Sequence, residues 1–174
     1  SCIELIEKMQ SISKDIEVIP AHIWTPWFSL FGSMSGFDTI NEAFGDKIGE
    51  IHALETGLSS DPEMNHRLSQ LDKYNLVSFS DSHSLTSDKL GREATMFDFS
   101  RDELKYSKLI YAIRTGIGLH GTVEVEPSYG KYHFDGHRVC NVCLDPAQSI
   151  KINDICPACN KPLTIGVAHR VELL

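Results

Sequence analysis

The sequence predicts an α/β protein whose C-terminal part is a small β-rich unit held together by a metal ion. Short apolar runs typical of buried strands alternate with helical patterns over the first part of the chain. After Gly121 the pattern changes to period-two alternation with glycine and proline, and four of the five cysteines lie between Cys140 and Cys159. These observations divide the chain into an α/β part, residues 1–119, and a β-rich part, residues 120–174.

The α/β part begins with an amphipathic helix. Apolar residues recur at steps of three and four, which places them on one helical face: Cys2, Leu5, Met9, Ile12 and Ile16. A strand is expected at 17–20, followed by an aromatic-rich segment, a Gly/Ser-rich loop and a short helix with Asp38 as its N-cap. The apolar segment 48–58 predicts a second buried strand.

Further helices and strands complete the α/β part. Ser60 and Glu63 form a capping box that starts a helix reaching about Tyr74, and the apolar run NLVSF follows it as a strand. The run 96–99 predicts another strand, and a second capping box precedes a helix that ends near Gly116. Strands and helices that alternate in this way are typical of parallel α/β architecture.

The chain turns polar after the run NLVSF, where Asp81 and His83 stand two residues apart. A carboxylate and an imidazole at the carboxyl end of a strand are suitable ligands for divalent cations. The same residues are also compatible with an ordinary turn, in which the aspartate caps the backbone and the histidine lies on the surface. This spacing alone leaves both interpretations open.

The cysteine pattern is the strongest chemical signal in the sequence. Cys140 and Cys143 form one Cys-x-x-Cys pair, Cys156 and Cys159 form a second, and twelve residues separate the two pairs. This is the spacing of a zinc ribbon, in which four thiolates close a tetrahedral structural site. A disulfide pair or an iron–sulfur centre is the alternative. Neighbouring histidines such as His137 are not needed as ligands when four thiolates are available.

Composition and charge limit the environments and partners of the chain. The net charge of −8 argues against a general nucleic-acid binder, although bound divalent ions would reduce the negative field of an acidic metal site. Basic residues of the β-rich part, such as Lys131 and Arg138, suit either contact with a polyanion or a solvated surface. The N-terminal residues mix charged and apolar side chains, unlike a signal peptide or membrane span, so a cytoplasmic protein is expected.

Several motifs in a fixed order give the chain a family resemblance. They are IPAHIWTPWFSLFG, ETGLSSDPEMNHRL, VSFSDSHS, LGREAT, GKYHFDGHRVC and CPACNKPLTIGVAHRVELL. The set resembles the later part of a polymerase-and-histidinol-phosphatase (PHP) domain followed by a zinc ribbon. Within that superfamily it is most similar to the endonuclease Q family, whose members nick DNA on the 5′ side of deaminated bases. The resemblance extends over essentially the whole chain.

The resemblance implies part of a distorted seven-stranded (β/α) barrel with divalent metals, Zn²⁺, Mg²⁺ or Mn²⁺, at the carboxyl ends of its strands. By motif, His22, Asp81 and His83 match metal ligands of the family, and Asp81 matches a carboxylate near or between metals that takes part in catalysis. The chain has no His-x-His motif, which family members carry before the position where this sequence starts. We therefore expect a fragment of a metal-dependent phosphodiesterase that is inactive on its own.

The resemblance also implies a DNA substrate that contains a deaminated base, hypoxanthine or uracil, or an abasic site. A sliding clamp that docks on the zinc ribbon is a further candidate partner, and no membrane partner is expected. Trp24, Trp27 and Phe28 follow His22 closely, which makes them candidates for stacking on an extruded base. Packing at the rim of the barrel is the alternative role for these three rings.

Two other functions are compatible with the sequence. A non-catalytic module, in which the zinc ribbon binds nucleic acid or protein, fits the incomplete set of metal ligands. A PHP phosphatase that acts on small phosphate esters fits the same ligands, but such an enzyme has no evident need of a zinc ribbon or of the GKYHFDGHR segment. Cleavage of deaminated DNA, compared with hydrolysis of a chromogenic phosphate monoester, separates these functions.

Overall fold

The computed structural model describes all residues from Ser1 to Leu174. Its α-helices are α1 (Cys2–Ile12), α2 (Ile40–Phe44), α3 (Pro62–Asn65), α4 (Tyr106–Thr115), α5 (Pro146–Lys151) and α6 (Val167–Leu173). Its strands are β1 (Ala53–Glu55), β2 (Asn75–Val77), β3 (Ala94–Phe97), β4 (Leu119–Val123), β5 (Asp135–His137) and β6 (Val142–Leu144). None of the helices combines the length and the apolar character that a bilayer crossing requires.

The strands form three separate two-stranded sheets. β1 and β2 are parallel, with Glu55 opposite Val77, so the carboxyl ends of both strands lie at one edge. β3 and β4 are antiparallel with a register shift between Met96 and Phe97, and β5 and β6 are also antiparallel. This mixture of helices and sheets agrees in outline with the predicted α/β class, but a closed barrel is not shown.

The segment predicted as the first strand, residues 17–20, does not form a strand. Pro20 has no backbone N–H to donate to a ladder, and its carbonyl oxygen accepts the N–H of Glu55 at 3.1 Å. The N–H of Ile23 in turn donates to the Glu55 carbonyl oxygen at 3.1 Å. These two hydrogen bonds hold the segment beside β1 and bring His22 to the carboxyl end of that strand.

The helix predicted to begin at Ser60 and reach about residue 74 is much shorter. Asp61, not Ser60, is the N-cap of α3, because its side chain accepts the N–H of Met64 at 2.8 Å. The helix ends at Asn65, whose side-chain amide donates to the Asp61 carbonyl oxygen at 2.7 Å. Asn65 also accepts the indole N–H of Trp24 at 2.8 Å. The side chain of Asn65 is thus engaged in tertiary contacts at the point where the helix stops.

The other predicted helix ends lie close to the observed ones, although one capping residue differs. Thr39, not Asp38, caps α2 by accepting the N–H of Glu42. The second capping box, formed by Ser100 and Glu103, is present as predicted. It begins a short 3₁₀ turn, however, and α4 starts only at Tyr106. Gly116 ends α4 in the left-handed conformation at φ +75°, as its position in the sequence predicts.

The main hydrophobic core joins the two parts into which the sequence was divided. Fifteen buried residues form this core; most come from the α/β part, but Val167 and Val171 of α6 belong to it as well. The predicted boundary between residues 119 and 120 lies inside β4, which pairs with β3 of the α/β part. The chain therefore leaves the α/β part, builds the β-rich unit and returns through α6 to the first core.

Polar contacts fasten α6 to the loop that follows His22. The guanidinium of Arg170 donates to the carbonyl oxygen of Phe31 at 2.9 Å and pairs with the carboxylate of Asp38 at 2.6 Å. The hydroxyl of Ser33 donates to the carbonyl oxygen of Ile165 at 2.6 Å. The β-rich unit is thereby held against the part of the molecule that carries the predicted site residues.

Candidate active-site cleft and metal centre

A cleft of about 670 Å³ lies where the carboxyl ends of β1 and β2 face the β-rich unit. The cleft is lined by the three predicted metal ligands, two of the predicted aromatic residues, two cations and a tyrosine. These residues are His22, Asp81, His83, Trp27, Phe28, Arg92, Lys131 and Tyr132. The fold therefore brings residues that are far apart in the sequence into one cleft.

Contacts from the end of β1 hold His22. Its main-chain N–H donates to the carboxylate of Glu55 at 2.7 Å, and Thr25 Oγ1 lies 3.1 Å from His22 Nδ1. Gly57 has φ +66°, and a Cβ atom at this position would lie 2.6 Å from the Cβ of His22, so the close approach requires glycine. His22 itself has φ +33°, an unfavourable backbone conformation that the bond to Glu55 stabilises.

The loop after β2 carries Asp81 and His83. Asp81 has φ +45°, and its carbonyl oxygen accepts a hydrogen bond from Nδ1 of the largely exposed His83 at 2.9 Å. The loop is tethered at Ser80, whose carbonyl oxygen accepts the Nε–H of Arg92 at 2.9 Å. The hydroxyl of Ser80 accepts the N–H of Gly91 at 2.8 Å. The LGREAT segment thus fixes the loop that presents Asp81.

His22, Asp81 and His83 share the cleft but do not form a converging ligand set. Their donor atoms are not among the groups of three or more that lie within 4.8 Å of one another. One carboxylate and two imidazoles are nevertheless suitable donors for a divalent ion. The donor types therefore fit such a metal, whereas the present spacing of the donor atoms does not.

The three predicted stacking residues occupy different environments. Trp24 is fully buried, and its ring centroid lies 4.9 Å from that of Phe31. A buried ring is not accessible to a base, so Trp24 has a packing role. Trp27 and Phe28 line the cleft with 41% and 91% of their surface exposed. Phe28 also has φ +58°, which is rare for a bulky residue and costs about 1 kcal/mol or more.

Three carboxylates come together at the carboxyl ends of β1 and β2. Glu55 ends β1, Glu93 contacts Ser78 after β2, and Glu124 contacts Thr56 after β1. Burial raises the pKa of Glu55, although the hydrogen bond from the main-chain N–H of His22 opposes this rise. Burial also raises the pKa of Glu93, which accepts a hydrogen bond from the hydroxyl of Ser78 at 2.6 Å. For Glu124, burial raises the pKa from its ordinary value of 4.5 to about 7, although this carboxylate accepts the hydroxyl proton of Thr56 at 3.0 Å. The protein thus places groups with a weakened tendency to ionise close to the predicted site.

The β-rich unit contains a converging set of metal-binding side chains. The ligand atoms of His137, Cys140, Cys156 and Cys159 lie within 4.8 Å of one another, and Nδ1 of His137 is 3.2 Å from the sulfur of Cys159. Three thiolates and one imidazole are a common structural zinc set. Cys143, predicted as the fourth ligand, is exposed and lies outside this set.

The hairpin geometry explains why His137 joins the cluster in place of Cys143. His137 is the last residue of β5 and pairs with Val142 across the hairpin, whereas Cys143 pairs with Gly136. Neighbouring residues of a strand point to opposite faces, so Cys143 faces away from the side that His137 and Val142 share. The left-handed conformation of Asn141, φ +54°, begins this arrangement directly after Cys140.

The chemistry of Cys156 fits a metal at this cluster. Burial would raise the pKa of its thiol, but the backbone N–H groups of Ala158 and Cys159 and the side chain of His137 outweigh burial and lower the pKa to about 6. A hydrogen bond to Cys159 raises the pKa of Cys140 in the same cluster to about 11. The thiolate is the form of cysteine that binds metal ions, and Cys156 supplies it most readily. Both the donor set and its convergence therefore fit a structural zinc ion.

A second cluster of titratable residues in this unit is satisfied by hydrogen bonds. The buried Asp135 accepts the N–H of Gly166 at 2.6 Å and a hydrogen bond from Nδ1 of His169 at 2.7 Å. Asp154 lies 4.0 Å from the same nitrogen and accepts the hydroxyl proton of Ser149 at 2.5 Å. These contacts join β5 to α6 and account for the cluster without a metal ion.

Some functional candidates are visible only in the structure. Arg92 and Tyr132 lie within two of the motifs quoted above, but neither motif indicates which of its side chains enters the cleft. Lys131 lies in the same motif as Tyr132 and was otherwise recognisable only as one of several basic residues. His137 had a usable signal, because it precedes Cys140 by three residues and so has the same spacing as a Cys-x-x-Cys pair.

The chain is similar to two curated proteins, and no family model matches it. Over 163 residues it is 30% identical to Uncharacterized protein MJ0043 of Methanocaldococcus jannaschii, a match that covers 87% of the chain and 19% of that protein. Over 157 residues it is 32% identical to Uncharacterized protein YqxK of Bacillus subtilis, covering 90% of the chain and 38% of that protein. The chain thus spans well under half of the length of either relative.

Two solved structures share the fold over the whole chain. One is endonuclease Q in complex with a 27-mer duplex substrate that has an abasic lesion at the active site, with a TM-score of 0.81 and 28% sequence identity. The other is the lesion-specific endonuclease PfuEndoQ from Pyrococcus furiosus, with a TM-score of 0.77 and 28% identity. Both matches cover 100% of this chain and 42% of the solved chain. The residues described here therefore have the fold of a part of endonuclease Q, a lesion-specific DNA endonuclease.

Proposed function

We propose that this chain is part of a metal-dependent DNA endonuclease that nicks the strand 5′ to a deaminated base, hypoxanthine or uracil, or to an abasic site. The observation that carries the proposal is the cleft itself. It combines His22, Asp81 and His83 with aromatic and cationic side chains, in a fold shared with a lesion-specific endonuclease. A phosphodiester, a stacked base and a divalent ion each find a chemically suitable partner there.

The metal ligands proposed for this cleft are His22, Asp81 and His83. A divalent ion bound there would act as a Lewis acid toward phosphate oxygens and water. Asp81 would hold a water molecule by accepting its proton in a hydrogen bond, and its fixed loop would keep that water in line with the phosphate. The bond between the His22 N–H and Glu55 would keep the imidazole at the cleft wall.

Recognition of damage is proposed to use the aromatic wall. Trp27 and Tyr132 form an edge-to-face pair with ring centroids 6.3 Å apart. They stand between the cleft and a second, more apolar cleft of about 520 Å³ that also contains Phe134. A cleft of this size accommodates a nucleobase, and stacking on such rings offsets part of the free energy of unstacking. The exposed ring of Phe28 offers a further stacking surface.

The zinc cluster is proposed to have a structural role. Its four ligands close a tetrahedral set and leave no open position for a substrate or water. It stabilises the hairpin β5–β6, and the segment just before this hairpin supplies Lys131 and Tyr132 to the cleft wall.

The test of this function is nicking of duplex DNA with one uracil, hypoxanthine or abasic site, measured in a protein of the relatives' length that contains this chain. Asp81→Asn keeps the size and polarity of the side chain but removes its charge, so cleavage should fall at least about 10³-fold while affinity for the duplex changes little. Undamaged duplex serves as the substrate control. Cleavage retained by Asp81→Asn would disprove the role of this carboxylate.

A non-catalytic DNA-binding function is the second candidate, because the three cleft donors do not converge on one ion position. It predicts metal-independent binding of damaged duplex and no nicking at any metal concentration. A phosphatase acting on small esters predicts instead hydrolysis of a chromogenic phosphate monoester. The same set of assays therefore separates all three functions.

A further inference from the structure

We propose that Arg92 and Lys131 form a phosphodiester-binding pair that holds the DNA backbone beside Asp81. The inference rests on the proposed function, because the anion that it assigns to the pair is a DNA strand. It adds a site for the negatively charged backbone that is separate from the metal ligands and from the aromatic wall. Both cations line the same cleft, one from each part of the chain.

Arg92 is available for an anion, unlike the other half-buried arginines. Arg114 pairs with Glu17 at 2.6 Å, and Arg170 pairs with Asp38 at 2.6 Å. The hydrogen bond of Arg92 runs from Nε to the carbonyl oxygen of Ser80, and no carboxylate lies within 4.0 Å of its guanidinium. Asp88 and Glu93 are near enough to feel its charge, but neither forms an ion pair with it. A half-buried guanidinium without an ion pair is only partly compensated, which favours binding of a further anion.

The tether of Arg92 also gives it the right orientation for phosphate. Bonding through Nε fixes the plane of the guanidinium and leaves both terminal nitrogens free, the two that form parallel hydrogen bonds to phosphate oxygens. Its anchor, Ser80, directly precedes Asp81. A phosphate bound by Arg92 would therefore be held in a fixed relation to the carboxylate proposed to orient water.

Lys131 supplies a second positive charge from the β-rich unit. Its ammonium lies 4.7 Å from the ring centroid of Tyr132, which holds the exposed side chain at the junction of the two clefts. Like Arg92, it has no carboxylate within 4.0 Å. A lysine at this position reaches a neighbouring phosphate as a point charge without demanding a particular geometry.

The distribution of charge supports the same site. The chain as a whole has a net charge of −8, which repels DNA. Among the residues that line the cleft, the formal charges are two positive, on Arg92 and Lys131, and one negative, on Asp81. Glu55 and Glu93 lie close to this lining, and burial raises their pKa values and so weakens their negative charge. Arg92 and Lys131 are thus the charges of the cleft that attract a polyanion to an otherwise acidic molecule.

The experiment uses a protein of the relatives' length that contains this chain. It measures binding to a fluorescent duplex with one central abasic site, by anisotropy, between about 50 and 200 mM salt. Each phosphate contact contributes close to −1 to the slope of log K against log salt. We expect Arg92→Ala and Lys131→Ala each to make the slope less steep by about 1, and the double variant by about 2. Affinity should fall about ten- to hundredfold for Arg92→Ala.

Two matched variants separate charge from structure. Arg101→Ala removes the same charge from an exposed arginine that does not line the cleft, and it should leave the slope unchanged. Arg92→Lys keeps the charge but loses the fixed fork, so the slope should stay while affinity falls. The Lys131 side chain makes no hydrogen bond or ion pair with the Asp81 loop, so its variant tests the pair even if Arg92→Ala loosens that loop.

The outcomes distinguish this inference from the proposed function. One outcome is that the unaltered protein binds the damaged duplex while Arg92→Ala or Lys131→Ala has the same salt dependence of binding as Arg101→Ala. In that case the phosphodiester-binding pair is wrong and the proposed function stands. If the unaltered protein of the relatives' length does not bind the duplex at all, both are wrong. Reduced slopes in both variants, with an unchanged slope in Arg101→Ala, support the pair.

Discussion

The two candidate metal sites of this molecule differ in how they are built. His137, Cys140, Cys156 and Cys159 converge within 4.8 Å inside one small unit, whereas the donors of the cleft come from separate loops and do not converge. The ligands of the first site follow one another at short spacings along the chain. Their donor atoms already lie close together without an ion. The second depends on distant segments that the scaffold must hold in place. We therefore expect the cysteine cluster to lose its metal when one ligand is replaced. The cleft should lose its geometry when buried residues that hold its loops are replaced.

The largest effect is expected at the zinc cluster. Cys140→Ser should lower the zinc content from one ion per chain to almost none and reduce the free energy of unfolding by more than about 4 kcal/mol, because the metal stabilises a unit with little core of its own. His137→Asn should have the same direction of effect. Elemental analysis and denaturant unfolding measure both quantities.

Cys143→Ser is the matched control for these two variants. Since Cys143 is exposed and outside the cluster, its replacement should leave zinc content and stability unchanged. Loss of zinc in Cys143→Ser together with normal zinc in His137→Asn would show that four thiolates hold the ion, as the sequence spacing predicts.

A smaller effect on stability should distinguish Trp24, which is buried, from Phe28, which lies on the surface of the cleft. Trp24→Ala removes a fully buried ring that bonds to Asn65, so the free energy of unfolding should fall by about 3–5 kcal/mol with zinc content unchanged. Phe28→Gly removes an exposed ring at positive φ, so stability should stay constant or rise slightly, while affinity for abasic duplex should fall about tenfold. Denaturant unfolding and anisotropy are the measurements. Equal losses of stability in the two variants would contradict this distinction.

The smallest effect concerns pH and the carboxylate of Glu124, whose pKa is raised by burial from 4.5 to about 7. Between these values the unfolded chain has released the proton while the folded chain retains it, so stability should decrease as pH rises from about 4.5 to 7 and then level off. Glu124→Gln keeps the acceptor for Thr56 and should remove this decrease, giving about 1–2 kcal/mol more stability at pH 8 after allowance for solvent screening.

The measurement is denaturant unfolding of both proteins at pH 5 and pH 8. The two should be about equally stable at pH 5, where Glu124 is protonated in the folded chain. A lower stability of Glu124→Gln at pH 8 would show that the ionised carboxylate is stabilising and that burial does not control its pKa.

Local patterns allowed correct predictions where local chemistry decides the structure. The zinc-ribbon spacing located the cysteine cluster, and Gly116 ended α4 as predicted. The fourth ligand was not predictable in the same way, because the choice between His137 and Cys143 depends on which face of the β5–β6 hairpin each side chain occupies. A change of one residue in strand position reverses that face.

Long-range packing explains the other differences. Trp24 and Trp27 are three residues apart in one aromatic segment, yet one is buried against Asn65 and the other lines the cleft. The positions of Arg92 and Lys131 in one cleft depend on how the two parts of the chain meet. No periodicity within a single segment contains that information, because it arises only when distant elements pack together.

The return of α6 to the first core has a practical consequence for engineering. The β-rich unit is an excursion from the α/β fold, and both of its ends are anchored there, by β4 and by α6. Grafting the hairpin with its cysteine cluster onto another scaffold would therefore require two junctions. A chimera cut only at the composition change would leave cavities in the core where Val167 and Val171 pack.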